Sequence, residues 1–411
     1  MNAFKSANIL LPKNVDMEKW AVIACDQFTS DPAYWHRVRN NAGSEPSTIH
    51  LILPEAELSA DRKAAVDAIN ASMKKYYDEG IFAEYKNAYV YVERTLENGA
   101  VRPGLVGMVD LDAYNYNPGS VSPIRATEKT VLERIPPRKE IRKDAPLEFP
   151  HVLMLCDDHE GCLIEPITAM KDQLPVVYDF DLMEQGGHIK GWLLQGELAK
   201  AFDDRFAAYA ETIEDKYVGL SGAKVLLAVG DGNHSLATAK SCYEELKANN
   251  PDADLSNHPA RYALVELENI HDPSQVFEPI HRVIAGVDTI ALLEYLKNFC
   301  AEDGFEVEYC AGNEKGVLKL DKSRGELAVA VLQELLDDFL AVNAGEIDYI
   351  HGEEEVRALA GVDGAIGFLL GAMGKGQLFR GVIDRGVLPR KTFSMGHARE
   401  KRYYLEGRKI K

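Results

Sequence analysis

The stretch VLLAVGDGNHSLATAKSCYEEL, Val225–Leu246, decides the fold of its region because it joins a continuous apolar run to a helical pattern. An unbroken apolar run from Lys224 to Val229 predicts a strand that is buried on both faces. Residues 230–235, Gly-Asp-Gly-Asn-His-Ser, interrupt the pattern and are called the box below. Apolar side chains then recur at helical spacing and predict a helix: Leu236, Ala239, Tyr243 and Leu246.

The backbone of the box suits an anion. Gly230 and Gly232 permit positive φ and let a ligand approach the chain closely. The first amides of a helix lack partners within the helix, and the helix dipole adds partial positive charge there. The sequence therefore predicts that the box, including Asn233 and Ser235, binds a phosphate or carboxylate group.

Two side chains of the box add reactive groups. A carboxylate at Asp231, beside a phosphate, holds a cation, orients a hydroxyl or acts as a base. The imidazole of His234 donates to a phosphate oxygen or transfers a proton. In the simpler interpretation, Asp231 or Asn233 only caps the helix while His234 packs. The pattern alone leaves both interpretations open.

The segment SPIRATEKTV, residues 122–131, contributes a second group of charges. On a helix, which we expect to end at Pro136-Pro137, Arg125, Glu128 and Lys129 share one face. They either pair with one another at the surface or supply the local positive charge that an acidic protein needs to hold phosphates.

Two further segments combine apolar runs with charged residues. In VFEPIHRVI, residues 276–284, His281 and Arg282 face opposite sides of a predicted strand, so at most one points into a given cleft. A buried, hydrogen-bonded His281 is the alternative. Asp26 follows the apolar run AVIAC and is either a base or metal ligand, or part of a helix start at Pro32.

Composition excludes several classes. A formal charge of −19 argues against sequence-independent binding of nucleic acid. The sequence contains no run of eighteen apolar residues, so no membrane helix is expected. The N-terminus lacks the pattern of a secretory signal. The six cysteines include no C-x-x-C pair, which is typical of reduced thiols in a cytoplasmic protein. The cluster CDDHEGC, Cys156–Cys162, contains metal-ligand types but is too crowded for joint ligation in a turn.

One basic concentration stands out against this acidic background. From Pro389 to the end, eight Lys or Arg face two Glu. This segment, which includes Lys391, is either a solvated tail or part of an anion site. The sequence does not decide whether it folds back over the box.

The order of elements predicts an α+β, or mixed α/β, fold rather than a regular doubly wound sheet. Helical patterns cover residues 61–80 and 196–213, and Glu97-Asn98-Gly99 predicts a hairpin between two strands. At 411 residues, two or three subdomains are expected. We predict segments 1–149, 150–250 and 251–411, the second of which carries the box.

Four segments in this order resemble the domain-of-unknown-function family 1015 over nearly the whole chain: SPIRATEKTV, VGDGNHSLATA, VFEPIHRVI and LPRKTFSM. The resemblance implies a ParB/sulfiredoxin-like core with additional α+β subdomains. Members usually read Asp-Gly-His-His-Arg at the box, where this chain has Asn233 and Ser235. Loss of the arginine implies that Arg125, Lys129 or Lys391 supplies the positive charge.

The same superfamily includes free-serine kinases. The resemblance therefore implies a phosphotransferase that uses ADP or ATP and Mg²⁺ on a small hydroxylated metabolite, with free serine or phosphoserine considered first. Asp231 and His234 act at the reacting phosphate, and Asp231 is also the candidate Mg²⁺ ligand. Asp26 or Glu128 is the remaining carboxylate, and Arg282 joins the cations.

The alternative is a non-catalytic protein that binds a nucleotide or metabolite. The altered box positions, Asn233 and Ser235, favour it. In either case the expected partners are small molecules rather than nucleic acid or a membrane.

Overall fold

The computed structural model describes residues 3–58, 62–217, 224–389 and 391–411. Helices mix there with parallel and antiparallel strands, so the predicted α+β class is confirmed. Two compact units are present, unit 1 (Met1–Gln275 with Gly396–Lys411) and unit 2 (Val276–Met395). This division differs from the three predicted segments, because one sheet of unit 1 takes strands from both sides of residue 150.

The strands, in chain order, are β1 (Phe4–Lys5), β2 (Ala7–Pro12), β3 (Val22–Ile23), β4 (Phe82–Thr95), β5 (Val101–Asp110), β6 (Tyr114–Asn115), β7 (Ile124–Arg125), β8 (Leu147–Glu148), β9 (Leu153–Cys156), β10 (Val176–Asp181), β11 (His188–Leu194), β12 (Leu227–Asp231), β13 (Tyr262–Asn269), β14 (Phe277–Ala285), β15 (Gly304–Ala311), β16 (Glu314–Asp321), β17 (Glu346–His351), β18 (Ala365–Leu369), β19 (Phe393–Met395), β20 (Tyr403–Tyr404) and β21 (Arg408–Lys409).

The helices are α1 (Met17–Trp20), α2 (Pro32–Ala42), α3 (Lys63–Asp78), α4 (Ile135–Lys143), α5 (Glu165–Thr168), α6 (Glu197–Lys216), α7 (Asn233–Asn249), α8 (Thr289–Lys297), α9 (Ala328–Leu340), α10 (Glu353–Leu359) and α11 (Lys375–Arg385). None of the helices in the described residues has the length and apolarity needed to span a bilayer.

Unit 1 is built on an eleven-stranded sheet of described residues, in the order β10-β11-β4-β5-β13-β9-β12-β7-β6, with β1 on β5 and β2 on β4. β12 lies between β9, which is antiparallel to it, and β7, which is parallel. Its apolar residues Leu227–Val229 are fully buried. This confirms the strand predicted before the box and places the box at the end of an interior strand.

Local turn signals account for several elements. The predicted hairpin is formed by β4 and β5, and Gly99 adopts a φ of +81° in its turn. The predicted helix over residues 61–80 is α3. Residues 157–161 follow β9, and the chain then enters α5.

Pro136 and Pro137 begin α4, so the prediction that they end a helix is wrong. Both occupy its first turn, where the missing amide hydrogen costs no helical hydrogen bond. Residues 127–131 precede that turn and are not helical.

From Gly396 onward, the basic C-terminal segment is folded into unit 1 rather than solvated. β20 pairs with β3, and β21 pairs with β8. Arg402 forms buried ion pairs with Glu266 and Glu406, while Arg408 pairs with Glu148 at 2.5 Å. Much of the local basic charge is therefore used inside the fold, because buried charges persist only when they are paired.

Unit 2 has its own sheet, in the order β16-β15-β18-β14-β17, with β19 beside β14. His281 and Arg282 lie on β14 and are both buried. The Nδ1 atom of His281 accepts a hydrogen bond from the Leu370 amide at 3.1 Å. The alternative of a buried, hydrogen-bonded His281 therefore describes the structure.

Candidate active site

The box forms a tight junction between β12 and α7. Gly232 precedes the helix with a φ of +81° in the left-handed region. A Cβ atom there would lie 3.1 Å from the Cα of Val152, so both conformation and space favour glycine. Gly230 lies within β12 and does not adopt the positive φ that glycine permits, and its predicted place at a phosphate stays a prediction.

No side chain caps the start of α7. The N-cap position is Gly232, which cannot donate or accept through a side chain. The alternative in which Asp231 or Asn233 acts only as the cap therefore does not describe the structure. An uncapped helix start keeps its amides available to a bound anion, with the helix dipole in support.

Asp231 has one carboxylate oxygen in an unusual position. Its Oδ2 atom is buried and makes no hydrogen bond to any described residue. A cation, Lys401, lies close by, but its Nζ atom is 3.6 Å from Oδ2, too far for a hydrogen bond. A buried carboxylate oxygen without a hydrogen-bond donor is costly, and such an atom points to a missing partner such as an ion, water or ligand.

The box is held against residues 127–131. The Oδ1 atom of Asn233 accepts from the Thr127 amide at 3.2 Å, and its Nδ2 atom donates to the Thr127 hydroxyl at 3.3 Å. Thr127 in turn donates to the Val229 carbonyl at 2.7 Å. The Nε2 atom of His234 accepts from the Val131 amide at 3.2 Å. Asn233 thus connects the box to this segment.

The charged residues of this segment do not share a helical face, because the segment is extended and irregular. Arg125 lies on β7, is 2% exposed, and donates through Nε to the Ser122 carbonyl at 3.1 Å. Burial lowers its pKa. Glu128 is half-buried and Lys129 is exposed, both between the two residues that hydrogen-bond the box. Their predicted roles at a phosphate stay predictions.

His234 is a neutral imidazole near pH 7. Burial, followed by the charges of Arg138 and Arg134, lowers its pKa to about 4, although Asp26 opposes the shift. Because Nε2 accepts a hydrogen bond, the proton of the neutral ring resides on Nδ1. His234 can therefore donate to a phosphate oxygen, but it does not supply an acidic proton at neutral pH.

Asp26 follows β3 and lies in a polar cluster with residues from distant parts of the chain. Its Oδ2 atom is 3.9 Å from Nε2 of His151. The same Nε2 atom is 3.1 Å from the Ser235 hydroxyl, and Nδ1 of His151 is 2.8 Å from the Tyr404 hydroxyl. The cluster thereby links the end of β3 to the box through a single imidazole.

The carboxyl of Asp26 is held in its charged form. Burial alone would raise its pKa, but the charge of His151, the amide of Gln27 and the charge of Lys401 outweigh that effect. The pKa of Asp26 is therefore lowered. A carboxylate that stays ionised at neutral pH is able to accept a hydrogen bond from a substrate hydroxyl.

Three residues of the site were not singled out from the sequence: Lys401, His151 and Tyr404. Lys401 belongs to the basic C-terminal segment, where the sequence indicated a concentration of positive charge but not which residue would reach the site. His151 has no local signal, because its partners come from β20, the box and the end of β3.

Two predicted cations lie in unit 2. Arg282 is fully buried there, where its Nε atom donates to Gln333 at 2.8 Å and Nη1 donates to the Ile280 carbonyl at 2.6 Å. This burial leaves it no exposed surface with which to bind a phosphate. Lys391 is exposed, and its predicted role stays a prediction.

The donor set at the box fits a cation that shares its ligands with a bound phosphate better than a metal held by the protein alone. No group of three or more His, Cys, Asp or Glu side chains in the described residues is arranged to hold a metal, and this includes the residues of Cys156–Cys162. Mg²⁺ commonly takes one or two carboxylates together with substrate phosphates. The unpartnered oxygen of Asp231 meets that requirement.

Comparison with protein-family models matches residues 9–405 to a family described as "Protein of unknown function (DUF1015)". Among curated proteins, no sequence matches the chain.

Solved structures with distant similarity include a free serine kinase mutant in complex with ADP, with 12% identity, a TM-score of 0.38, and coverage of 74% of this chain and 91% of that chain. SbnI with a C-terminal truncation from Staphylococcus aureus has 11% identity and a TM-score of 0.36, with 70% and 81% coverage. A conserved hypothetical protein from Pyrococcus furiosus has 12% identity and a TM-score of 0.33, with 72% and 95% coverage.

Proposed function

Because the chain belongs to the DUF1015 family, whose description names no activity, we propose its function from the geometry of the box: a phosphotransferase that acts on a small hydroxylated metabolite. We further propose a nucleotide, ADP or ATP, as the second substrate and L-serine as the first metabolite to test. The ParB/sulfiredoxin-like core implied by the box pattern is part of the same proposal.

The observation that carries the proposal is the pair of Asp231 and Lys401 at the uncapped start of α7. The Lys401 ammonium and the helix amides provide positive charge for a phosphoryl group. The buried Oδ2 atom of Asp231 has no hydrogen-bond donor within the part of the chain that the structure describes. An anion cradle beside a carboxylate with a free oxygen is what phosphoryl transfer with Mg²⁺ requires.

Each residue then has a defined task. Backbone amides 233–235 and Lys401 bind the transferred phosphoryl group, and neutral His234 donates from Nδ1 to one of its oxygens. Asp231 would hold a Mg²⁺ ion that enters with the nucleotide, and that ion would supply neutralisation of phosphate charge. Asp26, ionised and supported by His151, orients the attacking hydroxyl.

The bond changes balance in the ATP direction. The hydroxyl oxygen of the metabolite forms a new bond to the terminal phosphorus, while the bond between that phosphorus and the ADP oxygen breaks. The hydroxyl proton passes to the Asp26 carboxylate. A charged Asp26 and a neutral His234 are therefore the protonation states that the reaction needs near pH 7.

We place this reaction in the cytoplasm. The six cysteines are all free in the structure, as expected for a reducing compartment that also supplies nucleotides.

The test is a turnover assay with L-serine, Mg²⁺ and ATP, with O-phosphoserine detected by mass spectrometry, and the reverse reaction with O-phosphoserine and ADP. Turnover that is lost in Asp231→Asn supports the proposal. No turnover in either direction, with Asp231→Asn behaving like the parent protein, rejects it. Stabilisation by a nucleotide without turnover supports the alternative, a non-catalytic binding protein.

A further inference from the structure

A second feature of unit 1 adjoins the box and has no role in the chemistry above. It is a cavity of about 160 Å³ between α4, α7 and β13. Ser235 lines its end nearest the box, together with His151, Cys25 and Tyr404. The cavity and the phosphate cradle thus share a residue.

Most of the cavity wall is apolar. Six large side chains form much of it: Leu53, Met73, Ile141, Phe149, Leu236 and Leu264. An engineered apolar cavity of about 150 Å³ in another protein binds benzene, so a space of this size and lining accommodates an aromatic ring.

The charges in the wall balance. Arg138 pairs with Glu55, and Arg142 pairs with Glu148 at 2.5 Å. Glu148 also pairs with Arg408, so each of these charged groups already has an oppositely charged partner and none remains to attract an ion. The cavity therefore suits a neutral group and disfavours either a phosphate or the zwitterion of an amino acid.

The position of the cavity along α7 also restricts the occupant. Ser235, Leu236, Thr238 and Ala239 line it, and they span about 6 Å of helix axis from the first turn onward. A group attached to a phosphate at the box through a short linker reaches this space. In a nucleotide, the ribose is such a linker and the base is a flat, neutral aromatic ring.

We propose that this cavity is the nucleobase site of the protein, which holds the base of a purine nucleotide whose phosphates lie on the box. The inference rests on the proposed function because it takes residues 230–235 to bind the phosphates. It adds a separate site, with its own ligand chemistry, that can be tested without turnover.

The test fills the cavity. Ala239→Leu on α7 and Ala145→Leu after α4 each add side-chain volume from a buried wall residue. Ala208→Leu, on the exposed part of α6, is the matched control. Binding of adenosine and of tripolyphosphate to the parent and each variant is measured by calorimetry, and folding is checked by thermal unfolding.

We expect a folded cavity-filled variant to bind adenosine at least tenfold more weakly than the parent and to bind tripolyphosphate unchanged. Lys401→Ala should show the reverse pattern. Parent-like binding of adenosine by both folded variants, or no binding of adenosine and ADP by the parent, overturns the nucleobase site. Adenosine binding that depends on the cavity, without turnover of any hydroxylated metabolite, overturns the phosphotransferase proposal but leaves the nucleobase site standing.

Discussion

The Nζ atom of Lys401 lies 3.6 Å from the Oδ2 atom of Asp231, at the point where β12 ends and α7 begins. The two side chains are 12% and 20% exposed, so their charges interact in a partly desolvated site. Lys401 precedes β20, which is fixed by pairing with β3. The C-terminal segment therefore places a positive charge beside the carboxylate of the box.

Replacing Lys401 should impair phosphate binding without unfolding the protein. We expect Lys401→Ala to lower kcat/KM for nucleotide turnover about 100-fold, the usual effect of removing one donor that stabilises a transferred group. Lys401→Arg should recover part of this loss because it keeps the charge. The measurement is steady-state kinetics at a fixed Mg²⁺ concentration.

Lys409→Ala is the control for that experiment, because Lys409 belongs to the same segment but pairs with Glu84 at 3.1 Å. Its kcat/KM should equal that of the parent. Equal losses in Lys401→Ala and Lys409→Ala would show that the segment is only structural.

Asp231 should contribute more to activity than to stability. Asp231→Asn removes a charge whose Oδ2 atom is buried without a hydrogen-bond donor, so we expect the free energy of unfolding to change by less than about 1 kcal/mol. Turnover should fall at least about 100-fold, and the Mg²⁺ concentration needed for half-maximal activity should rise in any residual reaction. Urea unfolding and kinetics at varied Mg²⁺ measure the two effects.

Asp112→Asn provides the contrast. Asp112 also lies beside α7, where it pairs with Lys247 at 3.0 Å, and it has no place in the proposed chemistry. Its loss should cost up to about 1 kcal/mol of stability and leave turnover intact. A parent-like turnover in Asp231→Asn would remove this residue from the mechanism.

The local features of the box could be predicted from the sequence because their causes are local. Within one short stretch, an apolar run specifies β12 and an apolar stripe at helical spacing specifies α7. Between them, Gly232 is suited to the left-handed backbone conformation that most other residues avoid. The local pattern at Pro136 and Pro137 led to a wrong prediction. Proline fits the first turn of a helix and also breaks a helix interior, and only the following contacts decide between the two.

The remainder of the site depends on pairing between distant segments. His151 acquires its role from Tyr404, Ser235 and Asp26, and no local pattern indicates these partners. Arg282 of unit 2 shows the reverse error. The sequence suggested it as a phosphate ligand, but it is buried on β14, where it hydrogen-bonds to Gln333. A charged residue in an apolar run predicts that a partner exists, but it does not identify that partner.

His234 should make stability depend on pH. Its pKa is about 4 in the folded protein, mainly because of burial, and about 6.5 in an unfolded chain. Between these two pH values the unfolded state binds more protons than the folded state. The contribution of the neutral His234 ring to the free energy of unfolding is therefore fully present above pH 6.5 and is lost as the pH falls towards 4. We expect a loss on the order of 2 kcal/mol across this window.

The measurement compares urea unfolding of the parent with that of His234→Gln at pH 7 and pH 4.5. Glutamine can still accept from the Val131 amide but does not titrate, so the variant should lose less stability on acidification. The carboxylates titrate equally in both proteins, so their contributions to the pH dependence of stability cancel in the difference. An identical pH dependence in the two proteins would contradict a depressed pKa at His234.

Gly232 should be sensitive to even one added methyl group, and Gly99 allows the cause to be separated. Both residues have a φ of +81°, but a Cβ at Gly99 has nothing within 4 Å, whereas at Gly232 it lies 3.1 Å from the Cα of Val152. Gly99→Ala therefore reports the conformational cost alone, about 1–2 kcal/mol. Gly232→Ala adds displacement of the backbone of Val152, and we expect at least about 1 kcal/mol of further destabilisation. Because that displacement moves the first amides of α7, tripolyphosphate binding should weaken in Gly232→Ala and remain unchanged in Gly99→Ala. Equal effects of the two substitutions on unfolding and on binding would show that Val152 does not constrain the junction.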